Sequence, residues 1–125
     1  MKRLLLDTHV FLWWQEENRR LGRQARQAIE RADVVKVSAA SAWEVAIKMA
    51  IGKLRLAASF VDGLRDSEFE ELPVTFEHAA RAALLADLHR DPFDRMLIAQ
   101  SFVEGLTIVT GDEIFAKYGA AVLAA

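Results

Sequence analysis

The chain has 125 residues, 53% of them hydrophobic, with 16 Lys and Arg against 18 Asp and Glu for a net charge of −2. That length holds one domain and excludes two, the apolar content excludes a disordered tail, and the charge balance lacks the basic excess usual in nucleic-acid binders. With no cysteine in the chain, disulfides, thiolate zinc sites and a cysteine nucleophile are excluded as well.

The start, Met1-Lys2-Arg3-Leu4-Leu5-Leu6, briefly imitates a secretion signal, but Asp7 ends the apolar run. No apolar stretch approaches the roughly 20 residues of a membrane helix, so the expectation is a cytoplasmic protein with no membrane segment. Residues 2–6 read as a buried parallel strand. A short apolar helix over 8–14 and an arginine-rich one over 22–32 follow, the latter in a cluster of Arg19, Arg20, Arg23, Arg26 and Arg31 that reads first as a solvated face. Val34–Ser38 is β-branched and makes a second strand. Residues 41–51 make an amphipathic helix, with Trp43, Ala46, Ile47, Ala50 and Ile51 at i, i+3, i+4, i+7 and i+8, and Gly52 as its stop. A helix over 59–65 leads to a third strand over 69–74, where Pro73 marks an end or an edge. Thr75 caps a helix over 76–86. Asp91 opens a long one running to Glu104, which Gly105 stops. Residues 107–110 form a fourth strand, a short helix follows Asp112, and residues 121–123 a fifth strand. Strands alternating with helices, without repeat or linker, predict a single α/β domain over residues 1–125 with a parallel sheet covered on both faces.

Four acids stand at junctions of these elements: Asp7, Glu44, Asp94 and Asp112. Each has a local explanation. Asp7 and Asp112 can cap the helices that follow them. Asp91 is a good cap, because Pro92 then takes the first helical position, where its missing N–H costs nothing. Asp94 meets the positive end of that helix, and Ser41-Ala42-Trp43-Glu44 has the spacing of a capping box. Jointly they read differently. Helices that follow strands in a right-handed parallel domain begin at the carboxyl edge of the sheet, where such folds bind ligands. Carboxylates gathered there repel one another unless a cation intervenes. Oxygen donors suit hard ions, Mg²⁺ or Mn²⁺, which support phosphodiester hydrolysis. An aspartyl phosphatase would want a second Asp where His9 stands, and no glycine-rich phosphate loop is present.

Five segments carry a family resemblance: Leu5-Leu6-Asp7-Thr8-His9-Val10-Phe11-Leu12-Trp13-Trp14, Ser38-Ala39-Ala40-Ser41-Ala42-Trp43-Glu44-Val45-Ala46-Ile47-Lys48, Pro73-Val74-Thr75, the run from His89 to Gln100, and Val109-Thr110-Gly111-Asp112. In this order the chain resembles PIN-domain ribonucleases, specifically the VapC-like toxins of type II toxin–antitoxin systems. The resemblance implies a three-layer domain with a parallel five-stranded sheet between helices. It implies that Asp7, Glu44, Asp94 and Asp112 form the acidic quartet that binds Mg²⁺ or Mn²⁺, with Thr8 and Thr110 as supporting polar residues; Asp91 lies in the family's motif too and is assigned to the helix cap. It further implies an endoribonuclease that leaves a 5′-phosphate and a 3′-hydroxyl, a VapB-like antitoxin partner, and a homodimer.

Beside the acids, Lys48 reads either as an i,i+4 partner of Glu44 or, with Arg95, as an RNA phosphate contact at the rim. His9, His78 and His89 lack metal-ligand spacing and read as locally bonded histidines. Phe11, Trp13 and Trp14 read as core, with one ring left partly exposed. The alternative to a nuclease is a non-catalytic PIN-like module that binds RNA or protein and uses its acids as caps, a reading favoured by the negative charge.

Overall fold

Leu4, Leu5 and Leu6 alternate between two faces of a sheet, and each face is covered. The computed structural model describes residues 2–56 and 59–125; Met1, the head of the apolar start, lies outside them. Along the chain run β1 (Arg3–Leu6), α1 (Thr8–Gln15), α2 (Arg23–Arg31), β2 (Val34–Ser38), α3 (Ala39–Ala50), α4 (Phe60–Asp66), β3 (Glu70–Leu72), α5 (Phe76–Ala83), α6 (Pro92–Glu104), β4 (Thr107–Thr110), α7 (Ile114–Lys117) and β5 (Val122–Ala124). The five strands are all parallel, in the order β3-β2-β1-β4-β5.

On one face Leu4, Leu6, Val35, Val37 and Val109 pack with Phe11 of α1 and Ala25 and Ile29 of α2, and Phe60 and Leu64 of α4 close the layer. On the other, Leu5 and Ile108 pack with Leu97 and Ile98 of α6 and Phe115 of α7. Helices α5 and α3 rest against α6. The expected α/β domain with a five-stranded parallel sheet between helical layers is therefore what forms. From β1 the chain winds outward through β2 to β3, then crosses back to β4 on the other side of β1. The order reverses at β1, and the crevice above the carboxyl ends of β1 and β4 is where an open parallel sheet accepts ligands.

The expected boundaries shift where a cap lies elsewhere. Helix α3 starts at Ala39, because the Ser38 side chain at the end of β2 already accepts the Ala40 N–H at 3.0 Å. Ser41 and Glu44 therefore lie inside the helix, and the expected capping box does not form. Strand β3 pairs only over Glu70–Leu72 at the sheet edge. It stops before Pro73, which has no N–H to give a ladder. Helix α5 ends at Ala83, short of the expected 86. The end of α6 is as the sequence predicts: Gly105 adopts φ 67°, a left-handed stop that favours glycine.

Candidate active site

Asp7 follows β1 directly, Glu44 lies inside α3, Asp94 is in the first turn of α6, and Asp112 stands just past β4. The fold brings all four into one cleft, which Lys48, His9, Trp13 and Asp91 also line. Most of these acids are not caps. Asp7 occupies the cap position of α1, yet its side chain makes no capping bond. Instead Asp7 Oδ2 accepts from the Thr110 hydroxyl at 2.8 Å. Thr110 Oγ1 in turn accepts the Asp112 N–H at 3.0 Å, so one threonine ties the ends of β1 and β4 together. Capping in the loop before α6 falls to Asp91, whose Oδ1 accepts from the N–H groups of Phe93 and Asp94 at 2.9 and 3.1 Å. That leaves the Asp94 carboxylate for the cleft and for His89, whose Nε2 lies 2.8 Å from Asp94 Oδ2. Asp112 has a local role as well, accepting the Ile114 N–H at 3.0 Å.

Glu44 is the deepest of the four, only 5% exposed. Its Oε1 accepts from Thr8 Oγ1 and its Oε2 from Lys48 Nζ, both at 2.8 Å. Thr8 Oγ1 also lies 2.8 Å from Ser41 Oγ. Because a carboxylate only accepts, the single Thr8 proton goes to Glu44, and Ser41 donates to Thr8. The carboxylate is thus gripped from two elements, which fixes its orientation.

The electrostatics suit a cation. Burial pushes the Asp94 carboxyl up to about 6, with the negative charges of Asp7 and Asp91 adding and the His89 hydrogen bond opposing. Burial also raises Asp7, against the Thr110 hydrogen bond, with Glu44 adding a smaller push. Lys48 is shifted upward, chiefly by its hydrogen bond to Glu44, and Asp91 and Asp94 add to the shift. Carboxylates whose charged forms are disfavoured by burial and by neighbouring acids are ones a divalent ion would relieve. His89, Asp94 and Asp112 offer ligand atoms that all lie within 4.8 Å of one another. The donors present therefore fit a divalent metal ion.

A family model described as the PIN domain matches residues 4–121. The chain belongs to the PIN-domain family. It is similar to Ribonuclease VapC22 of Mycobacterium tuberculosis (strain ATCC 25618 / H37Rv), with 36% identity over 115 residues that span 90% of this chain and 88% of the relative. Its fold is similar to that of VapBC2 from Rickettsia felis bound to a DNA fragment from their promoter, with a TM-score of 0.72 at 12% identity over 97% of each chain. It is likewise similar to FitAcB from Neisseria gonorrhoeae, with a TM-score of 0.69 at 20% identity over 96% of each chain.

One residue stands differently from its sequence reading. Arg95, expected at the rim as an RNA phosphate contact, is committed within the protein. Its Nη1 donates to the carbonyls of Ala86 and His89, and its Nη2 to those of Ala82 and Leu85, all between 3.0 and 3.1 Å. It caps the exit of α5 and has no free fork for a phosphate. His89, read as a locally bonded histidine, is indeed bonded within its own turn, to Asp94, and loop geometry rather than spacing decides that partner. Lys48 keeps both of its readings in view: it pairs with Glu44, and its side chain remains 40% exposed beside the cleft. His9 stacks edge-on to Trp13, with ring centroids 6.2 Å apart. Phe11 is fully buried, while Trp13 and Trp14 are half-buried.

Proposed function

We propose that this PIN-domain chain is a Mg²⁺- or Mn²⁺-dependent endoribonuclease acting as the toxin of a type II toxin–antitoxin pair. The observation that carries the reading is the use of the acids. Asp7, Glu44 and Asp94 cap no helix, and with Asp112 they face one cleft at the carboxyl edge of the sheet. Scattered caps would not converge there. The kinship with a protein named as a ribonuclease supports the same chemistry.

In this reading Asp7, Asp94 and Asp112 hold the cation, and Glu44, gripped by Thr8 and Lys48, orients the attacking water or holds a second ion. When bound, the ion lowers the pKa of a water and balances charge on the phosphate. Thr110 keeps Asp7 and the backbone of Asp112 in register. Lys48, half free at the rim, is the candidate phosphate contact. One water is consumed: its oxygen bonds to phosphorus, the bond to the 3′ oxygen breaks, and the products are a 5′-phosphate and a 3′-hydroxyl that has taken up a proton.

The partners in this account are an RNA substrate, a VapB-like antitoxin and a second copy of the chain. Among the described residues no helix is long and apolar enough to cross a membrane, and the reading places the reaction in the cytoplasm, where RNA is available. The homodimer has a candidate surface on α3 and α5, where Trp43, Phe76 and, just past the end of α5, Leu84 are 65%, 97% and 82% exposed. Apolar side chains exposed to that extent are the candidates for such a contact, provided they form one patch. Incubating purified, antitoxin-free protein with total cellular RNA tests the activity. Fragments with 5′-phosphates are expected with Mg²⁺ or Mn²⁺ and none with EDTA; RNA left intact under both conditions refutes the reading.

A further inference from the structure

The proposed cation site has an imidazole at its edge that the acidic quartet does not include. His89 Nε2 is 2.8 Å from Asp94 Oδ2, and its donor atoms with those of Asp94 and Asp112 fall within the mutual 4.8 Å noted above. The ring is held there by construction. Arg95, the residue after Asp94, donates to the carbonyl of His89 itself at 3.1 Å and to those of Ala82, Leu85 and Ala86. The Tyr118 hydroxyl, 3.3 Å from Arg95 Nη1, braces the same loop by donating to the Ala86 carbonyl at 2.8 Å and accepting the Leu88 N–H at 3.2 Å. Five hydrogen bonds donated by one guanidinium tie α5, Tyr118 and this loop together, and they hold the loop's imidazole facing the two aspartates.

We infer that His89 is a nitrogen ligand of the cation held by Asp94 and Asp112, and that it biases the site toward Mn²⁺ over Mg²⁺. The inference rests on the nuclease reading, which assigns those two acids to the cation. The chemistry follows from the donor type. Mg²⁺ takes oxygen donors and keeps its waters, whereas an imidazole suits first-row transition ions. His89 Nε2 exchanges its bond to Asp94 for one to the ion, with the ring neutral.

The test loads the EDTA-stripped full chain with Mn²⁺ and reads nitrogen coupling by pulsed electron paramagnetic resonance, beside calorimetric affinities for Mn²⁺ and Mg²⁺. The wild-type protein is expected to show an imidazole nitrogen on the metal. His89→Ala is expected to lose that coupling and to lower the Mn²⁺/Mg²⁺ affinity ratio about tenfold or more, the scale on which metal-site neighbours act. His9→Ala, which alters the other histidine beside the cleft, is expected to keep both. Bound Mn²⁺ without nitrogen coupling in the wild type overturns the role of His89 and leaves the nuclease reading standing. A coupling that survives His89→Ala, or an unchanged affinity ratio, also overturns it. A wild-type chain that binds neither ion removes both readings. Should His89→Ala fail to fold, the wild-type spectrum decides.

Discussion

A carboxyl that burial and two neighbouring charges lift from 3.8 to about 6 makes the metal-free protein sensitive to pH in a defined direction. The folded state holds the Asp94 proton more tightly than the unfolded chain. Its contribution to stability is therefore complete below the unfolded value and disappears as pH rises through 6. Asp7, also raised, acts in the same sense. In EDTA, urea unfolding should show the protein losing on the order of 2–3 kcal/mol between pH 4 and 7 from Asp94, and Asp94→Asn should flatten that loss. Added Mn²⁺ should act oppositely, stabilising more as the carboxylates deprotonate. A metal-free stability that rises over this range would contradict the account. Arg95 offers a second test at this scale. Arg95→Ala strips donors from four carbonyls and should cost about 3 kcal/mol in urea unfolding. Arg95→Lys should restore little, because an ammonium cannot reproduce the fork. A phosphate contact would instead leave stability unchanged and weaken RNA binding.

Among the elements, α6 was the most legible in the sequence, because everything that bounds it is local. Asp91 and Pro92 start it, Gly105 ends it, and a few covalent bonds separate each signal from its effect. Asp91→Ala should cost about 1 kcal/mol of stability through the cap, and Gly105→Ala a similar amount through its positive φ. Thermal unfolding of the two variants checks both, and an unchanged midpoint would contradict the assigned caps. Helix α3 shows why local signals can also mislead. Ser41 and Glu44 have capping-box spacing, but Ser38 caps first, and Glu44 is left to be gripped by Thr8 from α1, a residue 36 positions away. The brace by Arg95 and Tyr118 and the approach of His89 to Asp94 were not legible for the same reason. Each depends on where the tertiary fold sets a loop, and no periodicity records that. The strands were readable as apolar runs to within a residue at β1 and β5, and the edge strand β3 is shorter than expected by more than that, because pairing partners rather than composition set its length.

At the scale of the whole molecule, the exposed aromatic and aliphatic side chains of α3 and α5 should bring two copies together. Phe76→Asp is a clean probe: the side chain is almost wholly in solvent, and an acid in the first turn of α5 favours the helix. Sedimentation should show a dimer for the parent chain and a monomer for this variant with its fold intact. A monomeric parent, or a dimer indifferent to the substitution, would contradict the assigned surface. If the acids act together on a cation that cuts RNA, Asp7→Asn should separate sharply from the parent. In single-turnover cleavage of RNA with Mn²⁺, the variant should be slower by roughly 10³-fold or more, about 4 kcal/mol of lost transition-state stabilisation, while its metal-free stability at pH 7 is equal to or above the parent's. An Asp7→Asn variant that cleaves as fast as the parent, or a parent that cleaves equally well in EDTA, would contradict the account.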